Sequence, residues 1–194
     1  MELLENIIPS IRIDSMNRYS IKILGKELTG FIYSCRLEQD IEYLLDLLSK
    51  AMDKYRDSII AIVPRSIVPS IKVLALSTLY TYMLYYRRRH RIRNRALLLL
   101  SIAFTRRQLD ETIDIINKYL RDNFNLLIIC YREHVEALTN ELGDLLRHCR
   151  ECSASDWRIG TPFINVYGIE PPADMDTMEK TVITMITRHY LSLL

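Results

Sequence analysis

The segment Ile67–Tyr86, IVPSIKVLALSTLYTYMLYY, is nearly free of charge over 20 residues and leads directly into the run Arg87–Arg95, RRRHRIRNR. These two segments constrain the fold most, because about 20 apolar residues can span a bilayer and basic residues often flank such a span. Lys72 and several hydroxyl side chains argue against a span, since a central lysine costs about 3 kcal/mol and a leucine recovers only about 0.5 kcal/mol. We therefore predict a central helix of a soluble domain, with a small membrane-associated protein as an alternative.

The basic run belongs to a chain whose net charge is close to zero. The sequence has 194 residues and a net charge of +2, with five glycines and six prolines. This length predicts one domain over residues 1–194, and the scarcity of glycine and proline argues against long linkers. The arginine run is therefore a local asymmetry of charge, and local concentration of charge matters more for binding than the total.

The number of cysteines and the N-terminal residues indicate the cellular compartment of the protein. The chain has four cysteines, which is too few for a disulfide scaffold at this length. The opening MELLENIIPS is acidic and lacks the basic region of a signal peptide. We therefore expect a cytoplasmic location. Only two glutamines occur, and arginine outnumbers lysine, which is typical of a thermophile and compatible with an archaeal source.

Apolar patterning predicts alternating strands and helices in the order ββαβαβαβαβα. Gly25-Lys26-Glu27 separates the first two strands as a short hairpin loop. The expected strands are Tyr19–Leu24, Leu28–Cys35, Ser58–Pro64, Ala96–Phe104, Phe124–Tyr131 and Phe163–Ile169. The expected helices are about Glu38–Arg56, Val68 to the arginine run, a helix after Thr105, Val135 to about Arg150, and Thr177–Leu194.

Two of these helices carry a capping-box spacing, in which a side chain at the helix start lies three residues before a Glu or Gln. Thr105 with Gln108 predicts the start of one helix, and Asp176 with Glu179 predicts the start of the last. The first of these helices is expected to bury Leu109, Ile113, Ile116 and Leu120. The whole pattern predicts an α/β or α+β protein, in which helices cover a central mixed β-sheet.

The arginine run has two interpretations in a soluble protein. A charge run is commonly a solvated helix tip, but such tips usually mix charges of both signs, and this one has almost no acid among six arginines. Tyr85 and Tyr86 precede the run, and Arg106 with Arg107 forms a second basic pair. Arginine matches phosphate geometry and aromatic rings stack with unpaired bases, so a nucleic-acid surface is the functional interpretation.

The segment His148–Cys152, HCREC, contains a Cys-x-x-Cys spacing. A structural zinc site needs four ligands, and the chain has no second cysteine pair at suitable spacing. A redox motif normally opens a helix, whereas this one follows a helix. We therefore expect ordinary thiols here, one buried and one exposed, and no metal.

Recognisable catalytic motifs are absent from the sequence. It contains no P-loop, no dinucleotide-binding glycine pattern, no G-x-S-x-G and no H-E-x-x-H. The chain is therefore expected to be a binding or assembly module without catalytic residues and without a cofactor.

Several segments resemble the Cgi121 family, also called the p53-related-kinase-binding protein family. The resemblance begins with the opening hairpin and SIIAIVP, is clearest in ALLLLSIAFTRRQLDETI, and continues through NLLIICYRE to the tail VYGIEPPADMDTMEKTVITMITRHYLSLL. It covers nearly the whole chain. The sequence departs from the family pattern at RALLLL, where a glutamate usually stands, and at NKYLRDN, where a glycine is usual.

The resemblance implies a non-catalytic subunit of the KEOPS complex, which makes threonylcarbamoyl adenosine (t6A) in tRNA. It implies binding and activation of a Bud32-type kinase, contact with other KEOPS subunits through that kinase, and binding of tRNA at its single-stranded 3′ CCA end. An independent nucleic-acid-binding protein unrelated to KEOPS is the alternative from another class.

Two sets of candidate residues follow from these interpretations. The candidate tRNA contacts are Arg87, Arg88, Arg89, Arg91, Arg93, Arg95, Arg106, Arg107 and, as a weaker candidate, Lys72. The candidate kinase contacts lie on the last helix, whose end HYLSLL is unusually apolar: Met185, His189, Tyr190, Leu193 and Leu194.

Overall fold

A computed structural model describes residues 9–36, 41–68, 70–87, 94–120, 123–153, 157, 161–169 and 174–194 of the chain. The strands are β1 (Ser10–Ile13), β2 (Arg18–Ile23), β3 (Lys26–Arg36), β4 (Ile59–Pro64), β5 (Asn123–Tyr131) and β6 (Cys149–Glu151). The helices are α1 (Ile41–Lys54), α2 (Ile71–Tyr86), α3 (Arg95–Ala103), α4 (Leu109–Tyr119), α5 (Val135–Glu141), α6 (Gly143–Leu146), α7 (Thr161–Tyr167) and α8 (Met175–Leu193).

The described parts of the chain form two compact units. The sheet unit is built from residues 1–62 and 121–156, and the helical unit from residues 63–120 and 157–194. The α+β class is confirmed. The sheet, expected to be mixed, is antiparallel in its β1–β2, β2–β3, β3–β5 and β3–β6 pairings.

The sheet has the strand order β1-β2-β3-β5-β4. Strand β2 pairs with one half of β3, and β6 pairs with Tyr33–Cys35 further along β3. Strand β5 is buried from Phe124 to Tyr131, as its continuous apolar run predicts.

The turn of the β2–β3 hairpin is shorter than the sequence pattern predicts. The turn is Leu24-Gly25, with φ of +50° and +73°, and the register closes at Ile23 and Lys26. Two positive φ angles give a two-residue turn whose twist matches the strands. The expected three-residue loop is therefore wrong, because Lys26 and Glu27 already belong to β3.

Within the same hairpin, Tyr19 lies opposite Gly30 and its ring covers that glycine. A Cβ atom at residue 30 would lie 2.2 Å from the Tyr19 ring. The glycine is therefore required by the close approach of a buried aromatic side chain.

The helical unit contains the long apolar segment, which forms α2 as predicted. Ser70 caps this helix, since its side chain accepts a hydrogen bond from the Val73 backbone N–H. The helix buries residues on most of its sides, including Ser77 and Thr78, whose hydroxyls donate to carbonyls one turn earlier. Within the described ranges, no helix has both the length and the apolar character needed to cross a membrane.

Two segments predicted as strands are helices. Ala96–Ala103 lies in α3, and Phe104 caps its end; Asn94 caps the start of this helix by accepting from the Leu97 N–H at 3.1 Å. Its leucines and alanines are strong helix formers, and a helix buried on nearly all sides shows no amphipathic period. Phe163–Ile169 was the second such segment; α7 ends at Tyr167 because Gly168, with φ +65°, takes the left-handed conformation that terminates a helix.

Smaller differences concern helix ends. Helix α4 begins at Leu109 without a side-chain cap, and Thr105 has φ +57° instead of acting as the cap. Its apolar stripe is only partly covered, since Ile113 is 38% exposed and Thr112 is the buried residue of the helix. The single helix expected from Val135 to about Arg150 is two helices, α5 and α6, which end at Glu141 and Leu146. Asp174 caps α8 by accepting from the Thr177 N–H at 2.7 Å, so this helix begins two residues earlier than predicted.

Candidate nucleic-acid and partner surfaces

The end of α2 and the start of α3 bring two of the predicted residues, Arg87 and Arg95, together in the helical unit. Arg87 is the exposed residue that ends α2, and Arg95 is the first residue of α3. The Arg95 guanidinium carbon lies 4.6 Å from the centre of the Tyr85 ring. Both ends of the arginine run are therefore fixed at one place. Arg88, Arg89, Arg91 and Arg93 lie outside the described residues.

We call Tyr85, Tyr86, Arg87 and Arg95 the tyrosine–arginine surface. Tyr85 and Tyr86 are half-buried and meet edge to face, with ring centroids 6.2 Å apart. No acidic side chain of the described residues pairs with Arg87. This surface therefore combines a free guanidinium with partly accessible aromatic rings.

Arg106 and Arg107 lie at the other end of α3, in the turn before α4. A helix of this length spans about 13 Å, so this pair does not join the tyrosine–arginine surface. Arg106 is half-buried and donates a hydrogen bond from its guanidinium to the Val166 carbonyl oxygen at the end of α7. Arg107 is exposed. Arg106 therefore has a structural contact, whereas Arg107 is available to a ligand.

Lys72 is separated from the other basic candidates. It lies in the first turn of α2, about 22 Å along the helix from Arg87. Its ammonium lies 2.8 Å from the Glu179 carboxylate of α8, and this hydrogen bond raises the pKa of Lys72. The lysine therefore neutralises an acid between two helices of the unit.

The predicted partner contacts on α8 are mostly turned inward. The Tyr190 ring stacks on Tyr80 of α2, with ring centroids 4.1 Å apart and the rings nearly parallel. His189 and Tyr190 are buried, and Met185 and Leu193 are half-buried. Leu194 is 43% exposed, and Leu191, which the sequence analysis did not single out, is 60% exposed.

His189 connects the end of α8 with the turn that contains Arg106 and Arg107. Its imidazole forms a hydrogen bond with the Arg106 backbone, and its Nε2 atom is buried without a partner among the described residues. Burial, together with the positive charges of Arg107 and Arg106, lowers the pKa of His189. The structure thus places a predicted partner residue beside two predicted RNA residues.

The sheet unit has a shallow cavity of about 170 Å³ on its polar face, lined by Ser10, Arg12, Ser20, Lys22 and Glu27. Two of its charged groups pair with residues outside the lining, since Glu27 lies 3.5 Å from Arg132. Arg12 pairs with Asp14 at 2.6 Å, and the Ser20 hydroxyl donates to the same carboxylate at 2.9 Å. These contacts give no indication of a particular ligand.

Two of the four cysteines form a disulfide, so the expectation of ordinary thiols at Cys149 and Cys152 is wrong for Cys149. Cys35 and Cys149 are directly opposite each other on β3 and β6, and their sulfurs are bonded. Because Cys149 is bonded to Cys35, the Cys149–Cys152 spacing does not form a dithiol pair. Among the described residues, no group of three metal-ligating side chains is present.

The remaining thiols, Cys130 and Cys152, are buried. Burial raises the pKa of Cys130 to about 11, so this thiol stays protonated at neutral pH.

Comparison with models of known protein families gives no match, and comparison with curated proteins gives no match either.

Proposed function

We propose that this protein is a cytoplasmic, non-catalytic KEOPS-type subunit that binds tRNA and a Bud32-type kinase, and contacts other KEOPS subunits through that kinase. In this role it recruits the 3′ CCA end of tRNA for t6A modification. The observation that carries the RNA part is the tyrosine–arginine surface, where the Arg95 guanidinium lies over the ring of Tyr85 and the exposed Arg87 caps the end of the same helix.

The chemistry of this surface suits single-stranded RNA. A guanidinium donates in a planar fork that matches phosphate oxygens, and Arg87 is exposed. Unpaired bases stack on aromatic rings, whereas a duplex hides its base faces. Terminal unpaired nucleotides therefore match this surface better than the tRNA stems do.

The proposed kinase contact is the exposed apolar end of α8. Tyr190 stacks on Tyr80 and holds the helix in the unit. Leu191 and Leu194 remain exposed on the same last turns. Two exposed leucines beside anchored residues are suited to an apolar partner surface, so they carry the contact and the buried residues support it.

The experiment treats the two partners separately. Serine replacements at Arg87, Arg88, Arg89 and Arg91 should weaken tRNA binding and leave co-purification with the kinase intact. Leu191→Ser with Leu194→Ser should do the reverse. Unchanged tRNA affinity of the first variant at low salt would remove the run from the RNA site. An intact kinase complex with the second variant would exclude that contact.

An independent nucleic-acid-binding protein is the second candidate function. It is favoured by one observation: His189 and Tyr190, two of the five predicted kinase contacts, are buried within the helical unit. A pull-down from the native cell extract distinguishes the candidates. A KEOPS-type subunit co-purifies with the kinase after nuclease treatment of the extract, whereas an independent nucleic-acid-binding protein does not.

A further inference from the structure

The disulfide between Cys35 and Cys149 joins two short, directly opposed stretches of strand. Cys35 lies near the end of β3, and Cys149 is the first residue of β6. The two residues are 114 positions apart in the sequence. Cys35 is 3% exposed, whereas Cys149 is half-buried. Cys149 is therefore the more exposed half of the bond.

Strand β6 is held at the edge of β3 by a short ladder, in which Cys149–Glu151 pair with Tyr33–Cys35. It is three residues long, and Arg150 and Glu151 are exposed. After the strand, the Cys152 backbone N–H donates to the Ile32 carbonyl oxygen at 3.2 Å. Such a short strand is marginal by itself, and holding it against β3 requires closing a long loop. The disulfide keeps this loop closed in the unfolded chain as well, so that pairing of β6 with β3 costs less conformational entropy.

The rest of the sheet does not depend on this bond. Strand β3 pairs with β5 from Leu28 and Tyr131 to Arg36 and Asn123. Strand β2 occupies the other half of the β3 edge. Opening the disulfide would therefore remove β6 from one edge while the β2–β3 and β3–β5 ladders stay paired.

We propose that Cys35–Cys149 is a reversible redox latch, which small cellular thiols open by attack on Cys149 and which thereby releases β6 from β3. The thiolate of one small thiol attacks the Cys149 Sγ, the protein disulfide breaks, and Cys35 leaves as a thiolate that takes up a proton. A second small thiol then attacks the mixed disulfide on Cys149. The products are the two protein thiols and one disulfide of the small thiol, so one S–S bond is consumed and one is formed.

In the proposed cytoplasmic location the bond meets the small thiols that keep most cytosolic cysteines reduced. Cys152 is a buried thiol beyond the end of β6, and its replacement serves as a control. The latch rests on the disulfide and the strand register and does not require RNA or kinase binding.

Hydrogen exchange of the backbone amides tests the proposal on the full chain, in oxidised protein and in protein reduced with dithiothreitol. The β6 amides and the Cys152 amide should exchange about 100-fold to 1,000-fold faster after reduction, as expected from loss of a long-loop crosslink. The β3–β5 amides should stay protected. Cys149→Ser should resemble the reduced protein without reductant. Cys152→Ser and Cys130→Ser are controls that should behave like the oxidised protein.

Three outcomes would overturn the proposal. Alkylation of Cys35 and Cys149 in non-reduced protein would mean that no bond exists. Equal exchange of β6 in the two redox states would mean that the bond does not hold the strand. Loss of protection throughout β3 and β5 on reduction would make the bond a staple of the whole sheet and not a latch.

Discussion

The guanidinium of Arg95 lies over the ring of Tyr85, 4.6 Å from its centre, and so ties the first turn of α3 to the last turn of α2. A cation positioned in this way is attracted by the electrons of the ring. The contact fixes both ends of the arginine run at one place on the helical unit, although the intervening residues lie outside the described part of the chain.

Replacement of Tyr85 by leucine should weaken tRNA binding roughly fivefold to tenfold, because one stacked base contributes about 1 kcal/mol or more. Binding is measured by fluorescence anisotropy with labelled tRNA. The control is Tyr43→Leu, which removes a tyrosine that is 56% exposed in the sheet unit. Equal losses in the two variants would contradict a specific role for Tyr85.

Arg87→Ser and Lys72→Ser each remove one positive charge from α2 or its end, but only the first should affect RNA. The salt dependence of tRNA binding should fall by about 0.7 in log–log slope for Arg87→Ser, which is the value for one single-strand phosphate. Lys72→Ser should leave the slope unchanged, because Lys72 pairs with Glu179. A smaller slope for Lys72→Ser would place RNA at the other end of α2.

Arg106→Met should destabilise the protein more than Arg107→Met. Arg106 donates to the Val166 carbonyl, and a hydrogen bond of a charged group contributes about 1.5–3 kcal/mol. Arg107 is exposed, and surface substitutions usually stay within about 0.5 kcal/mol. Urea denaturation measures the free energy of unfolding of both variants. Equal stabilities would show that the contact with α7 contributes nothing.

The free energy of unfolding should fall as pH drops below about 6.5, in part because of His189. Burial and the charges of Arg107 and Arg106 lower its folded-state pKa. The unfolded chain therefore binds a proton that the folded chain does not, and stability is lost from the unfolded pKa down to the folded one. His189→Gln should reduce this loss. Identical pH profiles for the wild type and the variant would exclude His189 as the cause.

Strands and helices could be predicted from the sequence where the spacing or the length of their apolar residues distinguishes the two. Strand β5 and helix α2 are long apolar runs whose lengths differ enough to separate a strand from a helix. Helix α3 could not be identified in this way, because burial on nearly all sides removes the polar face that marks a helix. Its signals were instead Asn94 before the run and the predominance of leucine within it.

The pairings that define the sites join distant parts of the chain, and for this reason the sequence does not reveal them. Lys72 and Glu179 are 107 residues apart, and only the packing of α8 on α2 brings them together. Similarly, Cys149 meets Cys35 because residues 149–151 form a strand instead of a helical end. The exposed Leu191 could have been found in the apolar end of the chain, but its exposure depends on which face α8 buries.

Binding of tRNA at its 3′ CCA end is tested most directly by the affinity of the wild-type protein for one tRNA with and without that end, measured at the same salt concentration. Removal of CCA should weaken binding roughly tenfold or more, because unpaired bases stack on the tyrosine–arginine surface. Tyr85→Leu should abolish most of this difference. Equal affinity for the two RNAs would mean that the protein does not bind the CCA end.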